Sequence, residues 1–228
     1  MTREARARQL IDAARAVLNE KGYENLVLAD VAKRAGIVEG AIYRHFSGKR
    51  ELMITAAEAW FEEILGEVRP DASITATADR LRHVVARALT LIRQEPALAR
   101  FVLSDVRADP AYRTMRLYDL NRRYASAVMD VLRDAVEAGE FNDDVPVALL
   151  RDMIFGCIER QTWSFLHGQG DFPPDDAADA IARLIYRGMV AAPMEAGKQG
   201  LDGALRRIED VAGRIERAAA TFETSSGP

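Results

Sequence analysis

Residues 22–52, GYENLVLADVAKRAGIVEGAIYRHFSGKREL, decide how this chain folds. Apolar residues at three- and four-residue intervals predict two short helices, 28–35 and 39–46, parted by a tight turn at Gly36. Leu28, Val31, Ala32, Ile37, Ile42 and Phe46 form their expected core. Two short helices joined in this way make a helix-turn-helix, in which the second helix enters a DNA major groove while the first braces it. Its exposed face then carries Glu39, Gly40, Ala41, Arg44 and His45.

Working outward, the same periodicity predicts a first helix over 2–21, burying Leu10, Ile11, Ala14, Val17 and Leu18 and closed by Gly22. After the Ser47-Gly48 break a long helix runs over 49–68, until Pro70 stops it. Further helices are expected at 73–94, 97–107, 110–138, 146–168 and 174–192, punctuated by prolines and glycines, and no strand is expected. The fold class is therefore all-α: a three-helix DNA-binding head over 1–52, followed by a larger helical bundle over 53–195. A linker and tail occupy 196–228, where Leu201, Leu205, Ile208, Ala212, Ile215, Ala219 and Phe222 form a heptad-like stripe that predicts a tail helix.

The chain has 228 residues, ample for a hydrophobic core, and its 49% hydrophobic and 29% charged residues exclude a mainly disordered protein. One cysteine and three histidines offer no ligand cluster, so neither a metal nor any other cofactor is expected. No apolar run approaches the roughly 18 residues of a membrane span, and the first residues lack a signal peptide's apolar stretch, so the cytoplasm is the expected location. The formal charge of −4 hides an asymmetry. Residues 1–52 carry ten bases against seven acids, whereas the remainder is acidic by seven charges. The head alone has the sign that DNA requires.

The residues of the head resemble the TetR/AcrR family of one-component transcriptional repressors. The resemblance rests on Gly22-Tyr23, Asp30-Val31-Ala32, Ala35-Gly36-Ile37, Gly40-Ala41-Ile42-Tyr43-Arg44-His45-Phe46 and Lys49-Arg50-Glu51-Leu52, in register over some 30 residues. It implies phosphate contacts from Tyr43, His45 and Lys49, and close approach of the recognition helix at Gly40. Glu39, Ala41 and Arg44 are then the base readers, suited to cytosine, a thymine methyl and guanine or a phosphate respectively. In two places the chain departs from the family. Val27 and Val38 stand where Thr and Ser usually cap the two short helices, each lost cap costing about 1 kcal/mol. Lys33 and Arg34, with Arg3, Arg6 and Arg8, are the expected electrostatic replacements.

For the bundle, the resemblance implies a pocket for a small hydrophobic or amphipathic inducer and a homodimer built from the last two large helices. Leu150, Met153, Ile154, Cys157, Ile158, Phe165 and Leu166 on the first, with Ala178, Ile181, Ala182, Leu184, Ile185, Gly188 and Met189 on the second, are the expected interface. Pocket candidates are Phe101, Tyr112, Met115, Tyr118, Tyr124, Met129, Phe155 and Trp163, apolar or adaptable side chains on the middle helices. Arg116, Arg122, Arg123 and Arg187 suit an anionic head group. The run Met153 to Gly156, followed by Trp163, resembles members that respond to fatty acyl-CoA.

Catalysis is not expected. Cys157 and His167 sit about 15 Å apart along one helix, too far for a nucleophile and its base. The expected function is a ligand-responsive regulator released from a palindromic double-stranded operator by a fatty acyl-CoA or another hydrophobic compound. The competing reading is an all-α acyl-binding protein that never touches DNA.

Overall fold

The protein is described by a computed structural model covering residues 2–67 and 73–190. Its secondary structure is helical, and an isolated bridge between Phe141 and Val190 is the sole β pairing among the described residues. Helix α1 spans Arg3–Asn25, and Thr2 caps it by accepting a 3.1 Å hydrogen bond from the Ala5 N–H. Regular helix ends at Lys21 as expected, because Gly22 adopts φ 72°, a conformation that side-chain-bearing residues resist. Helix α2, Leu28–Arg34, follows across a corner.

The recognition segment, Glu39–Arg44, is a 3-10 helix, shorter and tighter than the expected α-helix over 39–46. Val38 gives it no side-chain cap, and Gly40 costs helix stability. Six residues also cannot close enough i→i−4 bonds to recover the cost of nucleation. Helix α3, Lys49–Glu67, starts behind Ser47, whose N–H and hydroxyl both donate to the Glu51 carboxylate. Those two bonds hold the Glu51 pKa below the ordinary carboxylate value.

In the bundle, α4 is Thr77–Gln94 and α5 is Pro96–Arg100, which continues as a π-helical turn over Phe101–Val106. Helices α6, Arg116–Glu137, α7, Val147–Leu166, and α8, Pro174–Met189, complete it. The helix expected over 110–138 begins later than predicted, since Met115 is extended (φ −83°, ψ 147°) and Tyr112–Thr114 forms a separate 3-10 turn. Asp109 causes the delay: its carboxylate accepts the Ala111 N–H at 2.8 Å and pairs with Arg50 of α3, fixing a turn ahead of the helix.

Two cores result. One joins the head to the base of the bundle: Leu10, Leu18, Val31, Ile42 and Phe46 pack in the same cluster as Met53, Trp60, Leu98, Phe101, Val106 and Leu117. The other lies among α4, α6, α7 and α8. Arg15 strengthens the first junction, bonding Glu63 of α3 at 3.0 Å and Glu95 of the α4–α5 corner at 2.7 Å. The boundary expected at residue 52 thus falls at the start of a helix that serves both units. The second core corrects half of the expected dimer surface. Leu150, Ile154, Ile158, Ala178, Ala182, Ile185 and Met189 face inward and fill it, and Leu166 is buried in the first core, leaving Met153, Cys157, Leu184 and Gly188 outside. The tail stripe from Leu201 to Phe222 lies outside the described residues.

A polar latch fixes the end of the second core. Thr77 and Tyr186 both donate to Glu140, the tyrosine at 2.7 Å, tying α4 and α8 to the loop after α6. These bonds lower the Glu140 pKa from its ordinary 4.5. A carboxylate depressed by folding stabilises the native state above its unfolded pKa and loses that contribution as pH falls through the folded value. Tyr186→Phe should therefore lower stability at pH 7 and flatten the stability loss below pH 4.5. Urea melts at pH 7 and at acid pH would measure both; a parallel downward shift of the whole profile would show that the carboxylate is not involved.

Candidate nucleic-acid interface and ligand cavity

The head is built so that one surface stays polar and open. Gly36, at φ 66°, reverses the chain between α2 and the recognition turn, and the Ile37 N–H closes back on the Ala32 carbonyl at 3.0 Å. Val31, Ala32, Ile42 and Phe46 are buried beneath, as expected. Lys33, Glu39, Gly40, Tyr43 and Arg44 are exposed together, with Ala41 and His45 half-covered beside them. The recognition turn and α2 therefore present seven of the eight expected DNA-contacting residues on adjoining elements.

Lys49 is placed differently from the expectation. Its ammonium donates to the Tyr23 carbonyl at 2.8 Å and the Glu24 carbonyl at 3.5 Å, and lies 4.4 Å from the centre of the Tyr23 ring. It fastens α3 to the end of α1, and any phosphate contact would compete with those carbonyls. Arg34 likewise pairs with Glu20, and Asp30, left without a threonine cap to complement, pairs with Lys21 at 2.7 Å. Among the described residues, Lys33 and Arg44 have no ion-pair partner on the protein.

Two adjoining cavities lie between α3, α4, α6 and α7, with Ala88, Tyr124 and Phe155 in the wall of both. The outer, about 450 Å³, has apolar walls with Arg80, His83, Arg87, Arg123 and Asp130 among them, Arg80 also pairing with Asp134 at 2.6 Å. The inner, about 80 Å³, is lined by Trp60, Phe61, Ile64 and Ile158, and by Val102 and Leu103 of the π-helical turn. Arg87 donates to the Ile64 carbonyl at 2.9 Å, yet its buried Nε has no partner. Burial pushes the Tyr124 phenol far above its ordinary pKa, with the Arg87 charge opposing the shift, so Tyr124 is neutral at physiological pH.

Tyr124 and Phe155 are thus the two pocket candidates that reach these cavities. Phe101 is buried against Tyr23, ring centres 4.4 Å apart, beside a separate hollow between the end of α1 and α5. Tyr112 is buried in the first core, its hydroxyl accepting from Asn121 at 3.0 Å; Tyr118 and Met115 pack against the same core. Met129 is half-buried away from both cavities, and Trp163 is 49% exposed on the outer side of α7. Of the four arginines expected at a head group, Arg123 lines the outer cavity and Arg116 pairs with Glu62. Arg80, His83 and Arg87 were not expected there. Their spacing of three and four residues on α4 carried the signal, since it stacks them on one helix face.

A helix-turn-helix with an open polar face, rooted in a helical bundle that encloses an amphipathic cavity, defines a DNA-binding regulator with its own sensor. Residues 10–56 match the model of "Bacterial regulatory proteins, tetR family", and residues 75–189 that of "Tetracyclin repressor-like, C-terminal domain". The chain belongs to the tetR family and is a ligand-responsive transcriptional regulator of the repressor type. It is similar to the fatty acid metabolism regulator protein of Bacillus subtilis (24% identity over 182 residues, 79% of this chain and 94% of that one). It is also similar to the transcriptional repressor KstR2 of Mycobacterium tuberculosis (25% over 161 residues, 70% and 78%). Among solved structures, FadR from Bacillus subtilis in complex with stearoyl-CoA matches with TM-score 0.68 at 23% identity, covering 79% of this chain and 98% of that one. Among the described residues, no helix is long and apolar enough to cross a membrane, and no group of three or more His, Cys, Asp or Glu could hold a metal ion.

The interface makes one residue-level expectation direct. Arg44→Ala should cost about 1 to 3 kcal/mol of discrimination at one base pair of the operator. Competition gel shifts with single-base operator variants measure it; an equal loss on every variant would make Arg44 a phosphate contact instead.

Proposed function

We propose that the protein represses transcription as a homodimer on a palindromic operator, its two recognition turns meeting major grooves about 34 Å apart, and that a fatty acyl-CoA releases it. The observation that carries the ligand class is the amphipathic wall structure: three arginines and a histidine around the wider cavity, mostly apolar residues around the narrower. A long apolar tail with a polyanionic head fits that division. The stearoyl-CoA bound to the similar FadR of Bacillus subtilis supports the same class. In this reading Tyr124 and Phe155 flank the chain, while Arg80, His83, Arg87 and Arg123 meet the head group, the orphaned Arg87 Nε finding an acceptor there. The heads work in the cytoplasm, where operator and acyl-CoA are both present.

Capture of genomic fragments yields the operator, and gel shifts with stearoyl-CoA, stearate and coenzyme A then test release. Stearoyl-CoA should release the protein at concentrations at least tenfold below stearate, with coenzyme A alone inactive. Arg87→Met, which keeps the stem, should narrow the gap between stearoyl-CoA and stearate. Equal potency of the two acyl compounds would remove the head-group assignment, and failure of all three would remove the ligand class.

A further inference from the structure

Among the described residues, the large apolar side chains left in water fall into two groups. Leu149, Met153, Trp163, Leu184 and Val190 belong to α7, α8 and its end; Val27, Val38 and Tyr43 belong to the helix-turn-helix. Val38 is the most exposed of them, at 77%. It occupies the N-cap of the recognition turn in an extended conformation (φ −79°, ψ 143°) and makes no capping bond. A valine is among the poorest residues for that position, so within the free protein it contributes neither a cap nor packing.

The 3-10 geometry gives it a register. In such a helix the side chains at i and i+3 eclipse, and the 2.9 Å bond from the Ala41 N–H to the Val38 carbonyl sets that spacing here. Val38 therefore stands one turn before Ala41 and two before Arg44, its own side chain projecting outward from the extended cap. The neighbouring register begins at exposed Glu39 but then turns inward at Ile42, which is fully buried, so it offers no second continuous edge. A rise of about 2 Å per residue spaces successive side chains on the edge by about 6 Å. That is close to two base pairs of B-DNA, at about 3.4 Å each.

We infer that Val38 is a specificity residue: its isopropyl group packs against the 5-methyl of a thymine in the major groove, on the same edge along which Ala41 and Arg44 read. The partner is a thymine because it alone among the bases presents an apolar group there. The inference rests on the DNA-binding reading above and deepens it. Val27, although also exposed, sits at the start of the bracing helix and takes no part in base reading.

The test uses the full-length protein, the operator duplex recovered by fragment capture and the same duplex synthesised with deoxyuridine at every thymidine, which removes only methyl groups. The wild type should bind the uracil duplex about fourfold more weakly for each methyl that Val38 covers, about 16-fold for a two-fold-symmetric site. Val38→Ser, which supplies the missing cap, should melt no lower than the wild type and bind the two duplexes more nearly alike. Val27→Ser, supplying the other cap, should keep the full wild-type difference. Equal wild-type binding to both duplexes overturns the inference, as does a Val38→Ser variant as sensitive to uracil as the wild type. Binding of neither duplex above random DNA would overturn the DNA-binding reading itself, an outcome visible before any variant is made.

Discussion

Leu184→Asp is expected to turn the protein into monomers and weaken operator binding by more than 100-fold. Leu184 is 69% exposed on α8, and Leu149, Met153 and Trp163, each about half exposed, continue an apolar stripe along α7. Exposed Ala180, Gly156 and Gly188 lie on the same two helices, and such small residues would let the partner helix of the proposed dimer approach closely. The substitution should cost the isolated fold little, because an exposed side chain away from caps and networks contributes within about 0.5 kcal/mol. In the dimer it buries a charge against a symmetry mate carrying the same charge, which is strongly unfavourable. A monomer meets a single half-site, and losing the tethered second contact forfeits a factor of about 10² to 10⁴ in avidity. Sedimentation at micromolar concentration and gel shifts on the full operator measure the two effects. A variant that remains dimeric with affinity within threefold of the wild type would place the interface elsewhere.

The stripe proposed for the dimer also shows what could be read from sequence and what could not. Helical spacing placed α7 and α8 and marked both as apolar, but periodicity cannot say which of two apolar faces meets the protein's own core. Leu150 and Met153 are three residues apart, and the structure buries the first and exposes the second. The head was more legible, because Gly22 and Gly36 mark positive-φ positions and the buried set from Leu28 to Phe46 recurs at helical spacing. Its departure was the recognition turn, where Val38 and Gly40 together tip a short segment from α to 3-10 geometry.

The pocket was the least legible part. Aromatic and methionine side chains suit a core as well as a cavity, and Phe101, Tyr112, Met115 and Tyr118 went to the first core. The basic residues of α4 were present at the correct spacing, but Arg80, His83 and Arg87 resemble a solvated face until the neighbouring helices are in place. Lys49 shows the same limit from the other side. Nothing local tells that the carbonyls of Tyr23 and Glu24, some 25 residues earlier, will reach its ammonium.

Phe101→Leu is expected to separate ligand binding from operator release. The inner cavity, at about 80 Å³, is narrow, and Val102 and Leu103 of the π-helical turn form part of its wall. A chain that enters it must push on that turn. The turn's first residue, Phe101, stacks on Tyr23 at 4.4 Å, and Tyr23 in turn holds Lys49 at the start of α3. Push and head are therefore linked by contiguous contacts, with Arg50 and Asp109 as a second link from α3 to the turn before α6. A ligand that weakens operator binding 100-fold supplies about 2.7 kcal/mol of coupling. One aromatic pair contributes about 0.5 to 1.5 kcal/mol, so it carries part of that coupling and the remaining contacts the rest. Replacing Phe101 by Leu should then reduce the release ratio about three- to tenfold while ligand affinity stays within threefold. Leucine is chosen because alanine at this buried site would cost about 3 to 5 kcal/mol and endanger the fold. Asp109→Asn, which weakens the other link, should give a reduction of the same kind. Titrations of ligand onto the free protein and onto the operator complex yield both quantities. If Phe101→Leu lowers the melting temperature but leaves the release ratio unchanged, the ring is core and the signal travels through another contact.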